Sequence, residues 1–149
     1  MALRRIPTKM VVFPSERAHE TNDCAVIALA HVAGISYAEA HAMFKLAGRK
    51  NREGTTNRVI RDACLAQGAI KRFHYWSKPA RICDGDYASW WRRGSNLSPT
   101  LAKFLQQNPV GRFLVVKPGH AFAILDGVVY DNRSSAGARD RIEFSYQFR

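Results

Sequence analysis

The sequence predicts a single α+β domain over residues 1–149, in which N-terminal helices pack on a C-terminal antiparallel sheet. Helical periodicity and capping signals occupy the first two thirds of the chain, whereas strand-like alternation dominates after residue 111. Helices followed by antiparallel strands are typical of this class. The chain has 149 residues, 46% of them apolar, and no repeat or low-complexity tract, so it can bury one core.

Two helices are predicted in the first 50 residues. The stretch "ETNDCAVIALAHVAG" predicts a helix over 24–33, because Asp23 is a good N-cap residue and Gly34 is a natural residue just beyond a helix end. The stretch "SYAEAHAMFKLAG" predicts a second helix over 37–47, since Ser36 is followed three residues later by a glutamate in capping-box spacing.

Two further helices are predicted in the middle of the chain. In "TTNRVIRDACLAQGA", Thr56 is the expected cap, Gly68 the expected stop, and Cys64 lies on the apolar stripe, which predicts a core cysteine. In "SPTLAKFLQQNP", Ser98 is the expected N-cap and Pro99 the first helical residue.

Strands are predicted mainly in the last third of the chain. "IKRFHYW" and "RIC" are short strand candidates, and "RFLVV", "HAFAIL" and "VVYD" follow later, the last two joined by the turn signal Asp126-Gly127. "RIEFSYQF" alternates apolar and polar residues, as a strand with one buried face does. These segments predict an antiparallel meander at the C-terminus.

The cysteine at position 24 has two interpretations. At the start of a helix, free backbone N–H groups and the helix dipole favour a thiolate, which would make Cys24 a nucleophile. Free cysteine is also a common core residue, so Cys24 could simply be buried. The three cysteines, Cys24, Cys64 and Cys83, lack paired or C-x-x-C spacing, which indicates neither a disulfide framework nor a metal site and fits a reducing compartment.

The predicted hairpin brings a histidine and a carboxylate to one face. With Asp126-Gly127 as a two-residue turn, Leu125 pairs with Val128, and alternation then puts His120 and Asp131 on the same face as diagonal neighbours. A carboxylate there can fix the imidazole tautomer and stabilise the imidazolium. A bulge at the turn would exchange the faces and make Asn132 the partner instead.

The chain is strongly basic, with 23 Lys and Arg against 12 Asp and Glu and a formal net charge of +11. This balance suits an anionic partner such as nucleic acid or an acidic protein, although solvated surface explains it equally well. The candidate binding residues, where aromatic and cationic side chains meet, are Trp90, Trp91, Arg92 and Arg93. No signal peptide or membrane span is predicted, so we expect a cytoplasmic protein, in the host cytoplasm if a phage encodes it.

The segments "TNDCAVIALAHVAGISYAEAHAMFKLAGRKNREGT" and "GHAFAILDGVVYDN" resemble the papain-like cysteine peptidase superfamily, especially small single-domain members from phages and bacteria that are distantly similar to bacteriocin-leader peptidase domains. The resemblance implies a buried central helix that carries the nucleophile and packs on a sheet that bears the histidine. It implies Cys24 as nucleophile, His120 as base and Asp131 as orienting residue.

The sequence departs from the family at the oxyanion donor. The family commonly has a glutamine six residues before the cysteine, and this chain has Ala18 there. Candidate replacements are Asn22 and His19, beside the backbone N–H of Cys24.

The function predicted from these residues is a thiol hydrolase, a peptidase or amidase that acts on a protein or peptide through a thioester and needs no cofactor. One alternative is a papain-fold binding module that engages nucleic acid or an acidic host protein through its basic surface. A second alternative is a phage cell-wall amidase. For the hydrolase we expect only weak nucleic-acid binding and no membrane partner, and the residues do not predict an oligomeric state.

Overall fold

The computed structural model describes residues 7–10, 22–75, 98–131 and 137–149. These residues form helices and one mixed sheet, which confirms the α+β class. The helices are α1 (Cys24–Ala33), α2 (Tyr37–Leu46), α3 (Asn57–Ala66) and α4 (Leu101–Gln107). The strands are β1 (Thr8–Met10), β2 (Lys71–His74), β3 (Arg112–Lys117), β4 (His120–Leu125), β5 (Val128–Asp131) and β6 (Phe144–Phe148).

Most helix boundaries follow the predicted capping residues. Gly34 ends α1 in the left-handed conformation, with φ of 67°. Ser36 accepts a hydrogen bond from the backbone N–H of Glu39 at 3.0 Å, and Thr56 accepts one from Val59 at 3.3 Å. The local signals therefore determine where α2 and α3 begin.

The predicted cap of α4 is wrong. Thr100, not Ser98, caps this helix by accepting a hydrogen bond from the N–H of Lys103 at 3.2 Å. Ser98 is buried, and its hydroxyl donates to the carbonyl of Ile142 at 2.8 Å. The serine hydroxyl supplies a donor to a buried backbone carbonyl that is distant in sequence. The helix begins at Leu101, two residues after the predicted first helical residue.

The sheet has the strand order β1-β5-β4-β3-β6-β2. Strands β3, β4 and β5 form the predicted meander, but β6 pairs with β3 rather than continuing beyond β5. The outer edge of β5 is occupied by β1, which runs parallel to it. The prediction of a wholly C-terminal and wholly antiparallel sheet is therefore wrong. β2 covers the outer edge of β6 and confirms the strand prediction for "IKRFHYW". "RIC" lies outside the described residues.

Both faces of the central strands β3, β4 and β6 are buried along most of their length. Helices α1, α2 and α3 cover one face, where Leu114, Ala123 and Tyr146 pack. Helix α4 covers the other face, where Phe113 and Phe122 pack. A strand with two buried faces cannot show the simple inside-outside alternation of a half-exposed strand.

The prediction of one buried face for β6 is therefore wrong. Ser145, on the face expected to be solvated, is only 1% exposed, and its hydroxyl hydrogen-bonds that of Tyr75 at 3.0 Å. Because this polar group has a partner, it can be buried at little cost.

Helix α1 is the central helix of the core. Seven of its ten residues are buried, and it packs against α2 and the middle strands β3 and β4. Cys64 is also fully buried, which confirms its predicted place in the core. Within the described ranges no single helix is long and apolar enough to cross a membrane. Helices α1 and α2 together have the required length and apolar composition, but the chain bends by 118° between them.

Candidate active site

Cys24 is the first residue of α1 and is partly exposed. The first intrahelical hydrogen bond runs from the N–H of Ile27 to the carbonyl of Asp23 at 3.0 Å, so the amides of the first turn have no intrahelical acceptor. Burial alone would raise the pKa of the Cys24 thiol, but interactions with the His120 imidazole and with the backbone N–H groups of Ala121 and Ala25 hold it below its ordinary value.

The hairpin register that places His120 matches the prediction. Leu125 pairs with Val128 and Ala123 with Tyr130 across the turn. Asp126 and Gly127 have φ of 47° and 80°, so the turn has two left-handed residues and no bulge. The alternative in which a bulge exchanges the faces therefore does not occur, and Asp131 is the partner of His120, as predicted. Asn132 itself lies outside the described residues.

His120 and Asp131 form a buried pair. Nε2 of His120 lies 2.7 Å from Oδ1 and 2.9 Å from Oδ2 of Asp131. The two side chains are only 4% and 1% exposed. Since a carboxylate can only accept, the proton of this contact belongs to Nε2, and the other ring nitrogen is the one that can exchange a proton with a neighbour.

That second nitrogen, Nδ1 of His120, is buried and makes no hydrogen bond of ordinary length and angle within the described ranges. The Cys24 thiol interacts with the same imidazole. Because Asp131 occupies Nε2, Nδ1 is the ring nitrogen left for proton exchange with the thiol, and contacts between catalytic groups often reach hydrogen-bond geometry only when substrate binds.

The charges of the three side chains are coupled. Burial alone would lower the pKa of His120, but interactions with Asp131 and with Cys24 raise it to about 9. A raised imidazole pKa and a lowered thiol pKa both favour a thiolate-imidazolium pair over the neutral pair. The thiolate-imidazolium pair is the reactive form of a cysteine nucleophile.

A cavity of about 700 Å³ opens beside this pair, between the N-terminal end of α1 and the β3–β4 turn. Its size is that of a small-molecule or peptide-segment site. The lining residues are Asn22, Asp23, Cys24, Gly54, Thr55, Asn57, Ile60, Val116, Lys117, Pro118, Gly119, His120, Ala121 and Glu143.

Asp23 occupies the N-cap position but does not cap α1 with its side chain, contrary to the prediction. It is 1% exposed, and its Oδ2 accepts a hydrogen bond from the Tyr37 hydroxyl at 2.7 Å. The bond ties the residue before Cys24 to the start of α2. Neither the pairing nor the burial of Asp23 has a local sequence signal, because the two residues are 14 positions apart.

The oxyanion candidates are only partly described. Asn22 lines the cavity with a left-handed φ of 56°, and its Nδ2 donates to the Arg52 carbonyl at 3.2 Å. An amide nitrogen carries two N–H groups, so one remains beyond this bond. The second oxyanion candidate, His19, lies outside the described residues. The residues predicted to bind an anionic partner also lie outside them; these are Trp90, Trp91, Arg92 and Arg93.

Three charged residues near the cavity were not predicted. Nζ of Lys117 is 2.8 Å from Oδ2 of Asp140, and the same carboxylate accepts from the backbone N–H of Gly137. Interaction with Lys117 and Gly137 outweighs partial burial and holds the pKa of Asp140 below its ordinary value. Glu143 is the residue just before β6, and it also lines the cavity. Strand pairing, which the sequence did not reveal, brings these residues together.

No group of three or more His, Cys, Asp or Glu side chains in the described ranges could hold a metal ion. Comparison of the chain with protein-family models, with curated proteins and with solved structures finds no match. Inference about function therefore depends on the geometry and chemistry of the cavity.

Proposed function

We propose that the protein is a thiol hydrolase, a peptidase or amidase, with Cys24 as nucleophile, His120 as proton carrier and Asp131 as orienting residue. The observation that carries the proposal is the arrangement of one cavity. It combines a thiol at a helix N-terminus with an imidazole whose far nitrogen is held by both oxygens of a buried carboxylate. Nucleophile, base and orienting group in that order are the requirement for cysteine catalysis.

The architecture supports the same proposal. A buried helix that carries the cysteine at its first residue packs against the strand that carries the histidine at its first residue. This arrangement is the one that resemblance to the papain-like superfamily implies, and we propose a papain-like fold on that basis.

Acylation follows from the charges of the resting pair. The Cys24 thiolate attacks the carbonyl carbon of a peptide or amide, and the π electrons of the carbonyl move to its oxygen. The His120 imidazolium then donates its Nδ1 proton to the leaving nitrogen as the C–N bond breaks. The products of this step are a thioester on Cys24, a free amine and a neutral imidazole.

Deacylation uses the same groups in reverse. Neutral His120 takes a proton from water as the water oxygen attacks the thioester carbonyl, and the C–S bond breaks to release a carboxylic acid and the Cys24 thiolate. The imidazolium is restored, and Asp131 stabilises it in both halves of the cycle without itself accepting the proton.

The developing oxyanion needs donors. The backbone N–H of Cys24, which has no intrahelical acceptor, is one, and the remaining N–H of the Asn22 amide is the second. Loss of one such donor lowers kcat by about 10² to 10³.

The test uses electrophilic peptide probes and intact-mass detection of the adduct. We expect wild type to form one covalent adduct at Cys24, and Cys24→Ala and His120→Gln to form none or to react far more slowly. The matched controls are Cys64→Ala, which removes a buried core thiol, and His41→Gln on α2. Absence of any adduct on Cys24 across the panel would contradict the hydrolase proposal and favour a binding module.

A further inference from the structure

The charged side chains that line the cavity differ in whether a neighbouring side chain binds them. Asp23 binds the Tyr37 hydroxyl, His120 binds Asp131, and Lys117 binds Asp140. The carboxylate of Glu143 makes no hydrogen bond or ion pair with any residue that the structure describes; only its backbone is bonded, to Val116 and Tyr75. Among the described residues, its charge is thus the one at the cavity that has no polar side-chain partner, and it is partly buried.

Among the described carboxylates, Glu39 and Glu53 also lack a side-chain partner, but both are exposed, whereas Glu143 is partly buried. Lys and Arg outnumber Asp and Glu by 23 to 12, so a carboxylate has many potential partners within the protein. Lys117 is the nearest candidate by strand register, but its ammonium is bound to Asp140 at 2.8 Å instead. Asp140 in turn accepts a hydrogen bond from the N–H of Gly137 at 2.8 Å.

Strand pairing fixes the position of Glu143 relative to the reactive pair. His120 pairs with Lys117 across β4 and β3, and Val116 pairs with Phe144 across β3 and β6. One step further in that register puts Glu143 opposite Lys117, so Glu143, Lys117 and His120 form a row at one end of three adjacent strands. Two strand spacings separate the backbones of Glu143 and His120 by about 10 Å.

We propose, on the basis of the proposed hydrolase function, that Glu143 forms a subsite for a cationic side chain of a peptide substrate. An extended peptide advances about 3.3 Å per residue, so 10 Å corresponds to about three residues from the reactive pair. An arginine or lysine within that distance of the scissile bond can bring its charge to Glu143. The substrate class is therefore a peptide with a basic residue near the cleavage site.

The test compares electrophilic peptides that carry arginine, citrulline or glutamate at each of three positions beside the electrophile. Citrulline has the shape of arginine without its charge. At one of the positions, we expect the arginine probe to label wild-type Cys24 about tenfold faster than the citrulline probe, as a charge-assisted hydrogen bond at a partly buried site would give. The preference should weaken as salt is added.

Glu143→Gln should reduce the arginine-to-citrulline rate ratio to about one, whereas the control Glu39→Gln, which removes an exposed carboxylate on α2, should retain the wild-type ratio. Because the readout is a ratio, it is insensitive to the fraction of protein that is folded. Equal labelling by arginine and citrulline probes in wild type, or an unchanged ratio in Glu143→Gln, would overturn the subsite alone. Wild type that reacts with no probe would overturn the hydrolase proposal together with it.

Discussion

Replacement of Asp131 by asparagine tests the electrostatic coupling of the site most directly. The change removes the negative charge that lies 2.7 and 2.9 Å from Nε2 of His120. The asparagine oxygen can still accept one hydrogen bond from Nε2, so the imidazole can keep its position. The variant therefore separates the charge of the orienting residue from its geometry.

The size of the effect follows from the pKa of His120. The pKa of His120 is about 9 against an ordinary value of 6.5, which at 1.36 kcal/mol per pH unit corresponds to about 3 kcal/mol of net imidazolium stabilisation. Burial by itself lowers this pKa, so the interactions with Asp131 and Cys24 together contribute at least that much. We expect the pKa of His120 to fall in Asp131→Asn, and the pKa of the Cys24 thiol to rise because its cationic neighbour is weakened.

The assay is the rate of Cys24 alkylation by iodoacetamide between about pH 5 and pH 10, followed by peptide mass spectrometry. The readout is the pH at the midpoint of the rate profile and not the maximal rate, because the maximal rate also depends on the intrinsic nucleophilicity of the thiolate, which changes with its pKa. In wild type the midpoint should lie below that of an ordinary thiol. In Asp131→Asn it should move upward by at least about one pH unit, so that alkylation near pH 6 is about tenfold slower.

Asp126→Asn is the matched control for this experiment. Asp126 lies in the turn of the same hairpin, and its Oδ1 accepts a hydrogen bond from the Gly111 N–H, which an asparagine oxygen can also do. We expect its rate profile to match wild type. Profiles of wild type and Asp131→Asn that superimpose, or an equal displacement in the control, would refute the proposed coupling.

Three further predictions concern reactivity and stability. Iodoacetamide should modify Cys24 before Cys64 in the folded protein, because Cys64 is fully buried and burial raises the pKa of its thiol; equal rates in peptide mapping would contradict this. Tyr37→Phe should lower the free energy of unfolding by about 1 to 3 kcal/mol, measured with urea, because the buried Asp23 carboxylate loses its 2.7 Å hydrogen bond; no change would show that the bond adds nothing. In a Cys24→Ala background, His120→Gln should destabilise more at pH 6 than at pH 10. A raised pKa in the folded state gives stability that is complete below the unfolded value of 6.5 and is lost as the pH rises through the folded value, so a pH-independent loss would contradict the pairing with Asp131.

Local signals account for much of the site. The end of α1 follows from Gly34, which takes the left-handed conformation just beyond the helix. The Asp126-Gly127 turn determines the register of its hairpin, and the register alone puts His120 and Asp131 on one face. Both inferences succeed because helix ends and two-residue turns depend on backbone conformations that adjacent residues impose.

Contacts between distant segments were not predictable in the same way. Ser98 and Asp23 are both residue types that cap helices well, but neither side chain caps its helix. Ser98 donates to the carbonyl of Ile142, 44 positions away, and Asp23 accepts from the Tyr37 hydroxyl. Their local preference is worth about 1 kcal/mol, and a buried polar group without a partner costs as much or more, so tertiary burial outweighs it.

The fold class, the helix that carries Cys24 and the hairpin that joins His120 to Asp131 are therefore predictable from the sequence. The pairing of β6 with β3 is not, and this pairing creates the row that runs from His120 through Lys117 to Glu143. The difference lies in the range of the interactions. Helix caps and tight turns are local, whereas the choice of neighbouring strand depends on which apolar faces can be buried together, and that choice is made by the whole core at once.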